Sequence, residues 1–276
     1  MKNFDIHRFW NVMKWYFHEN RGTILKWTAA AATVTVLLQL FFVNTINTSV
    51  SASSEEANVS PYAMGVALTQ VFCIMALGFC IYLVNSNVFG WMKNKQKRIA
   101  FLTLPATNME RWTTAVLYAA IIIPVCIVAG WFVGDVLRNV VFCLQGEQWL
   151  WAFNAFEHMP NYKGFHGLSS LTNCASWLWW GSLFILGGTW FRKGQFAITF
   201  FLQLALSLIT SFLANVCHMP ILNLSGFEPG FDFDADGELS YIVRLAILTL
   251  FIIVNLCLSY HIFKRFQIIT SKWTNL

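Results

Sequence analysis

Six apolar stretches of about twenty residues each alternate with polar segments along this chain, at positions 24–43, 63–84, 113–133, 171–191, 196–214 and 241–263. A hydrocarbon core about 30 Å thick is crossed by about 20 helical residues rising about 1.5 Å each, so every stretch predicts a transmembrane helix. No acidic residue lies inside any of them. The basic exceptions, Lys26 and Arg244, sit near the start of a stretch, where a long side chain can reach the interface. The first stretch follows a polar-studded segment without a small-residue cleavage site, which predicts a retained span rather than a removed signal peptide.

Ahead of the first stretch the pattern changes. Ile6, Phe9, Trp10, Met13, Tyr16 and Phe17 recur at helical spacing, with His7, Asn11, Lys14 and His18 on the other face. Asp5 is placed to cap that helix, and Arg21 and Gly22 mark its turn into the membrane. Residues 1–22 therefore predict an amphipathic helix in the membrane interface, with docking on protein as the alternative. Residues 23–276 form the transmembrane domain, with a cytoplasmic loop at 85–112 and outer loops at 44–62, 134–170 and 215–240.

Composition agrees with this reading: hydrophobic residues make up 57% of the chain and charged residues 11%, too apolar for an ordinary soluble domain. Charge then orients it. With the N-terminus in the cytoplasm, all but three of the 18 Lys and Arg residues fall on the cytoplasmic side, the exceptions being Arg138, Lys163 and Arg244. The expected fold class is an all-α integral membrane protein, with six transmembrane helices, an interfacial N-terminal helix and both termini cytoplasmic. The bacterial cytoplasmic (inner) membrane is the expected location. The net charge of +5 reports this asymmetry, and since the basic residues hug helix ends no nucleic-acid partner is expected.

The loop at 85–112 is the most informative polar segment. Lys93, Lys95, Lys97 and Arg98 precede an apolar strip of Ile99, Phe101, Leu102 and Leu104, and then Pro105. Proline cannot continue a helix, so a short amphipathic helix ends before it. Thr107 and Glu110 match the S/T-x-x-E capping box that starts the next helix. An apolar strip on that side invites docking on the membrane or on a partner. The N-terminal helix, the six spans, the basic loop ending Leu-Pro-Ala-Thr-x-x-Glu and the run Gly187-Gly188-Thr189-Trp190-Phe191-Arg192-Lys193 together resemble a type-2 ABC transporter permease subunit. The outer segment from 136 to 170 is longer than that family's pattern. The resemblance implies a coupling helix in the first cytoplasmic loop, resting on an ATPase subunit, with Phe101, Leu104, Pro105, Thr107 and Glu110 at the corresponding positions. It also implies a second permease subunit, as a homodimer or heterodimer, and a tendency to export.

Other chemistry is sparse. The chain has no G-x-x-x-x-G-K-[ST], no H-E-x-x-H and no G-x-S-x-G, so neither a catalytic residue nor a cofactor is expected, and ATP hydrolysis would belong to a partner. The run from Asp232 to Glu238 begins like a calcium loop but has Val243 where an EF-hand needs its twelfth-position Glu. Two readings stay open there: a looser metal site on Asp232, Asp234 and Asp236, or a solvated acidic turn with Arg244 as counter-charge. Cys143, Cys174 and Cys217 fall in or near outer segments, where a disulfide is one reading and free thiols the other. Gln39, Gln70, Gln203 and Asn255 lie in separate stretches and predict interhelical hydrogen bonds worth roughly 0.6 kcal/mol each. Gly130 and Gly134 predict a close helix approach, and Pro124 predicts a kink. Trp149, Leu150, Trp151, Phe153 and Phe156 predict an outer interfacial helix. The competing functional reading is a non-transporting scaffold, assembly factor or sensor that binds a partner through its outer loops.

Overall fold

The computed structural model describes residues 4–50, 61–90, 95–151, 167–191, 193–217 and 238–265. Among these the regular elements are helices: α1 (Ile6–Glu19), α2 (Arg21–Val50), α3 (Pro61–Ser86), α4 (Lys95–Leu102), α5 (Asn108–Leu117), a π turn (Tyr118–Ile122), α6 (Ile123–Leu144), α7 (Gly167–Trp190), α8 (Gln195–Cys217) and α9 (Glu238–Lys264). Every apolar stretch is helical. Four are long and apolar enough to cross a membrane by length and composition: Arg21–Thr45, Gly65–Ser86, Asn108–Leu144 and Ile242–Lys264. The chain thus has the architecture of a helical multi-pass membrane protein, with four such helices among the described residues where the sequence led us to expect six. The two others, α7 and α8, are helical as well. α7 carries Thr172, Asn173, Ser176, Ser182 and Thr189, which dilute its apolar character, and α8 is helical from Gln195 to Cys217, with its described apolar part at Gln195–Thr210.

The third expected span ends later than its hydropathy suggested. Helix continues from Ile123 through Leu144, well past Val133, so the first part of the predicted 134–170 outer loop is helical. Pro124 sits in the first turn of α6, directly after the π turn. Its missing N–H and its ring leave the carbonyl four residues earlier, on Ala120, without an α-type partner. A wider π turn accommodates that fault inside a continuous helical path. The helical register changes at the position where the proline predicted a kink.

The described chain divides into two compact units. One comprises residues 17–81 and 121–164. Its centre is the packing of α2 on α6, and the reason is the glycine pair. A side chain at Gly130 would collide with the backbone carbonyl of Thr28 and lie 3.0 Å from the Ala31 Cβ. One at Gly134 would lie 2.8 Å from the Thr35 Cβ and 2.9 Å from the Ala32 carbonyl. The two bare positions, one turn apart, let the helix backbones approach. Trp131, on the same stretch of α6, donates its indole N–H to Gln70 Oε1 of α3 at 3.2 Å. Val43, Tyr62, Val66, Ala67 and Phe142 close one end as an apolar cluster.

The other unit comprises residues 1–16, 82–120 and 165–276. Here α7 packs on α9 around Ala175, Trp179 and Leu248. Asn255 of α9 donates to Ser182 Oγ of α7 at 3.0 Å, one of the expected interhelical bonds. Tyr82 stacks on Phe184 with ring centroids 5.1 Å apart. Gly188 lies against the Ser86 carbonyl, leaving no room for a side chain. Gln195 Nε2 donates to the Gly188 carbonyl at 3.1 Å, joining the end of α7 to the start of α8.

Replacing Gly134 by Leu should push α2 from α6 and cost about 1–3 kcal/mol, with Gly134→Ala at the mild end of that range. Thermal unfolding of the detergent-solubilised chain checks this. Gly22→Ala, in the first turn of α2 with no neighbour within 4 Å, should leave the midpoint unchanged or raise it slightly.

Candidate functional site

The corner between α4 and α5 is organised by one carboxylate. Thr107 is the N-cap of α5: its Oγ1 accepts from the Glu110 backbone N–H at 3.3 Å, and Glu110 Oε2 accepts from the Thr107 N–H at 2.8 Å. The capping box is therefore complete. The other oxygen, Oε1, accepts from the backbone N–H of Asp5 at 2.9 Å and from Arg8 at 3.2 Å. Asp5 is itself the N-cap of α1, its side chain accepting from the His7 N–H at 2.9 Å. Glu110 thus serves α1 as the third-position Glu of a capping box serves its own helix. A single side chain closes two helix N-termini, where the backbone dipoles favour negative charge. It is fully buried, and its ion pair with Arg8 is part-exposed on the arginine side.

Aromatic rings complete the joint. Phe101 at the end of α4 is 1% exposed, its ring 6.1 Å from Tyr16 and 6.4 Å from Trp15. Tyr16 in turn meets Tyr118 edge-on at 4.8 Å. On another side, the Trp112 indole N–H donates to Ser259 Oγ of α9 at 3.2 Å, and its ring meets Tyr260. Arg111 spans the break by donating to the Leu104 carbonyl. The short helix, the Pro105 break and the start of α5 are consequently held by α1 and α9.

The five predicted partner-coupling residues fall into two groups. Phe101 and Glu110 are internal and shape the corner. Leu104 and Thr107 are half-buried and Pro105 is exposed, so these three remain at its surface. Ile99 and Met109 are exposed beside them, at 43% and 51%. The predicted apolar strip is therefore split, because α1 covers Phe101 from within the same chain. α1 shows the same division: Val12 and Tyr16 are buried, while Ile6, Trp10 and Phe17 are exposed. Its docking on protein and its free apolar face occur together.

A second charged cluster was missed by hydropathy. Asp135 and Arg138, one turn apart on α6, form an ion pair at 2.9 Å with both side chains buried. Arg138 also donates to the Tyr62 hydroxyl at 3.3 Å and to the Leu150 carbonyl. Asn139 Oδ1 accepts from the Leu150 N–H at 3.2 Å and its Nδ2 donates to the Asp135 carbonyl at 3.1 Å. Arg138, expected in a loop, is in fact the largest fully buried side chain described. The signal available was an opposite-charge pair at i, i+3 inside a run that stays apolar to Leu144. The cluster clamps the backbone of Leu150 between two exposed rings, Trp149 and Trp151, whose centroids are 5.4 Å apart. Residues 147–151 are not helical, so the outer helix expected there does not include them, and Phe153 and Phe156 lie outside the described residues.

Of the other candidates, Asp232, Asp234 and Asp236 lie outside the described residues. Among the described residues no group of three His, Cys, Asp or Glu side chains could hold a metal ion. Cys143 and Cys174 are free thiols, and the Cys217 side chain lies outside the described set.

Glu110→Ala should destabilise the chain by about 2–3 kcal/mol, because Asp5, Thr107 and Arg8 lose their acceptor together. Limited proteolysis should then cut α1 faster, and Glu110→Gln should be milder. Arg138→Met strands a buried carboxylate and should cost about 3–5 kcal/mol, whereas the double variant Asp135→Leu/Arg138→Met should recover much of that loss. Thermal unfolding of the two single variants and the double variant gives the coupling directly. No protein-family model, curated protein or solved structure matches the chain, so its functional reading rests on these residues.

Proposed function

We propose that the chain is the membrane-spanning permease subunit of an ATP-driven transporter, working as an exporter with a separate P-loop ATPase and a second permease subunit. In this reading it crosses the bacterial inner membrane six times with both termini in the cytoplasm, as the placement of its basic residues favours. The observation that carries it is the corner at Pro105. A short helix with Lys95, Lys97 and Arg98 in its first half ends at Leu102, and the chain turns through Pro105 and enters a long apolar helix through a closed capping box. Ties to α1 and α9 let force applied at α4 reach those helices together. The surface offered to an ATPase is then Ile99, Leu104, Pro105 and Met109, with Phe101 and Glu110 as the support beneath it. Nothing in the sequence supplies a nucleotide site, so energy must come from the partner.

A second reading has its own observation. The Asp135–Arg138–Asn139 clamp devotes a buried ion pair to fixing one peptide between two exposed tryptophans. Rings fixed in this way suit a non-transporting scaffold or sensor that recognises a partner there.

Purification of the full chain from its native membrane should recover a Walker-A protein, and adding ATP should drive transport. Leu104→Glu should leave insertion and thermal stability intact while abolishing ATPase recruitment or coupling. Phe101→Glu is the wrong test, since it would break the support itself. A stable complex without any ATPase, indifferent to Leu104→Glu but lost in Trp149→Ala/Trp151→Ala, would select the scaffold reading.

A further inference from the structure

We propose that the bilayer closes around α6 itself, Ile123–Leu144, and not around 113–133. Acyl chains then pack on Val133, Val136, Leu137 and Val140, and the Asp135–Arg138 pair lies within the hydrocarbon, turned to the interior of its helical unit.

Exposure along α6 is the reverse of that on a water-facing helix. Every exposed residue from Ile121 to Leu144 is apolar, counting Cys143, and the first exposed polar side chain is Gln145. Asp135, Arg138 and Asn139 are all buried. Lipid selects this arrangement, because ionisable groups within a span almost always face protein and find a partner there. The length fits as well. A helix of 22 residues rising about 1.5 Å each is about 33 Å long, against a hydrocarbon core of about 30 Å.

Neighbouring helices of the same unit set the level. α2 runs parallel to α6: Thr28 and Ala31 meet Gly130, Ala32 and Thr35 meet Gly134, and Val43 joins Phe142 in one apolar cluster. The apolar stretch 24–43 of α2 has its middle at Thr33 and Val34, next to the Gly134 contact. Arg138 is one turn further along α6, about 6 Å, well inside a half-thickness of about 15 Å. α3 agrees while running the opposite way, since Gln70 accepts from the Trp131 indole and Tyr62 and Val66 reach Phe142. At these levels Leu37 and Phe41 of α2 and Leu68 and Phe72 of α3 are exposed, whereas Gln39 and Gln70 are buried. Thr33, also exposed, returns its hydroxyl to the Ala29 carbonyl at 2.9 Å.

This depth gives the clamp on Leu150 a reason. The non-helical chain that follows α6 comes back against the cluster of Val43, Tyr62 and Phe142. Backbone at that depth has no water to bond, so its polar groups need protein partners. Leu150 has both, its N–H donating to Asn139 Oδ1 at 3.2 Å and its carbonyl accepting from Arg138. Trp149 and Trp151 beside it are exposed, as rings are at the margin of a bilayer. The inference stands apart from the ATPase reading.

The test measures depth. Trifluoromethyl-phenylalanine is placed singly at Val125, Val133 or Leu137, all exposed, in the full chain reconstituted into phosphatidylcholine nanodiscs. Fluorine relaxation is compared with dissolved oxygen, which concentrates in hydrocarbon, and with a water-soluble nickel chelate. The oxygen-to-nickel ratio should rank Val133 first, Leu137 second and Val125 last, since these lie about 1, 5 and 13 Å along the axis from the middle of α6. A probe at Val136 takes the place of Leu137 in this order should that variant not fold. A crossing at 113–133 puts Val125 first and Leu137 last, and a ratio at Val125 equal to or above that at Leu137 overturns the proposal. So does a Leu137 probe that neither reagent reaches, which would put protein on this face instead of lipid.

Discussion

The carboxylate of Glu110 is the constraint on which the corner depends. Four hydrogen bonds converge on it or run from its own peptide, joining residues 105 apart in sequence. Each helix N-terminus exposes N–H groups that its own turn cannot satisfy. Bringing two such ends to one acid satisfies both and places negative charge where two sets of dipoles favour it. Pro105 then needs no strained solution, because the chain on either side of the break is already fixed by Arg111, Thr107 and the rings of Tyr16 and Phe101.

A second buried polar group, in α6, fixes the chain in a related way. Arg138 pairs with Asp135 and donates to Tyr62, and together with Asn139 it holds Leu150. A buried ion pair of this kind contributes little net stability against an apolar replacement, but removing one partner is expensive. Its value is positional: it fixes where the chain leaves α6. Glycine does comparable work without polarity, since Gly130 and Gly134 set the separation of α2 and α6 by what they lack.

Legibility in the sequence followed the range of the interaction. The capping box was readable because its members are three residues apart, and the apolar helices because a continuous run of twenty needs no tertiary partner to be recognised. The Asp5 cap was equally local. What could not be read was partnership. The GxxxG pair announced a neighbour but not that it was α2, and Gln70 announced a hydrogen bond but not Trp131. The end of the third span was misplaced because hydropathy falls at Gly134-Asp135, while the helix persists through a charge pair whose other partners, Tyr62 and Leu150, are remote in sequence or beyond the helix. Phe101 looked like a surface residue because nothing near it in sequence says that α1 will cover it.

The long separation between Asp5 and Glu110 also has a temporal side. A ribosome adds about 5–20 residues per second, so Asp5 is made about 5–20 s before the acid that secures it. Throughout that interval Asp5 and Arg8 lack their acceptor, and Tyr16 lacks the ring of Tyr118. Completion of the corner therefore waits on α5, whose first turn collects α1 once it exists.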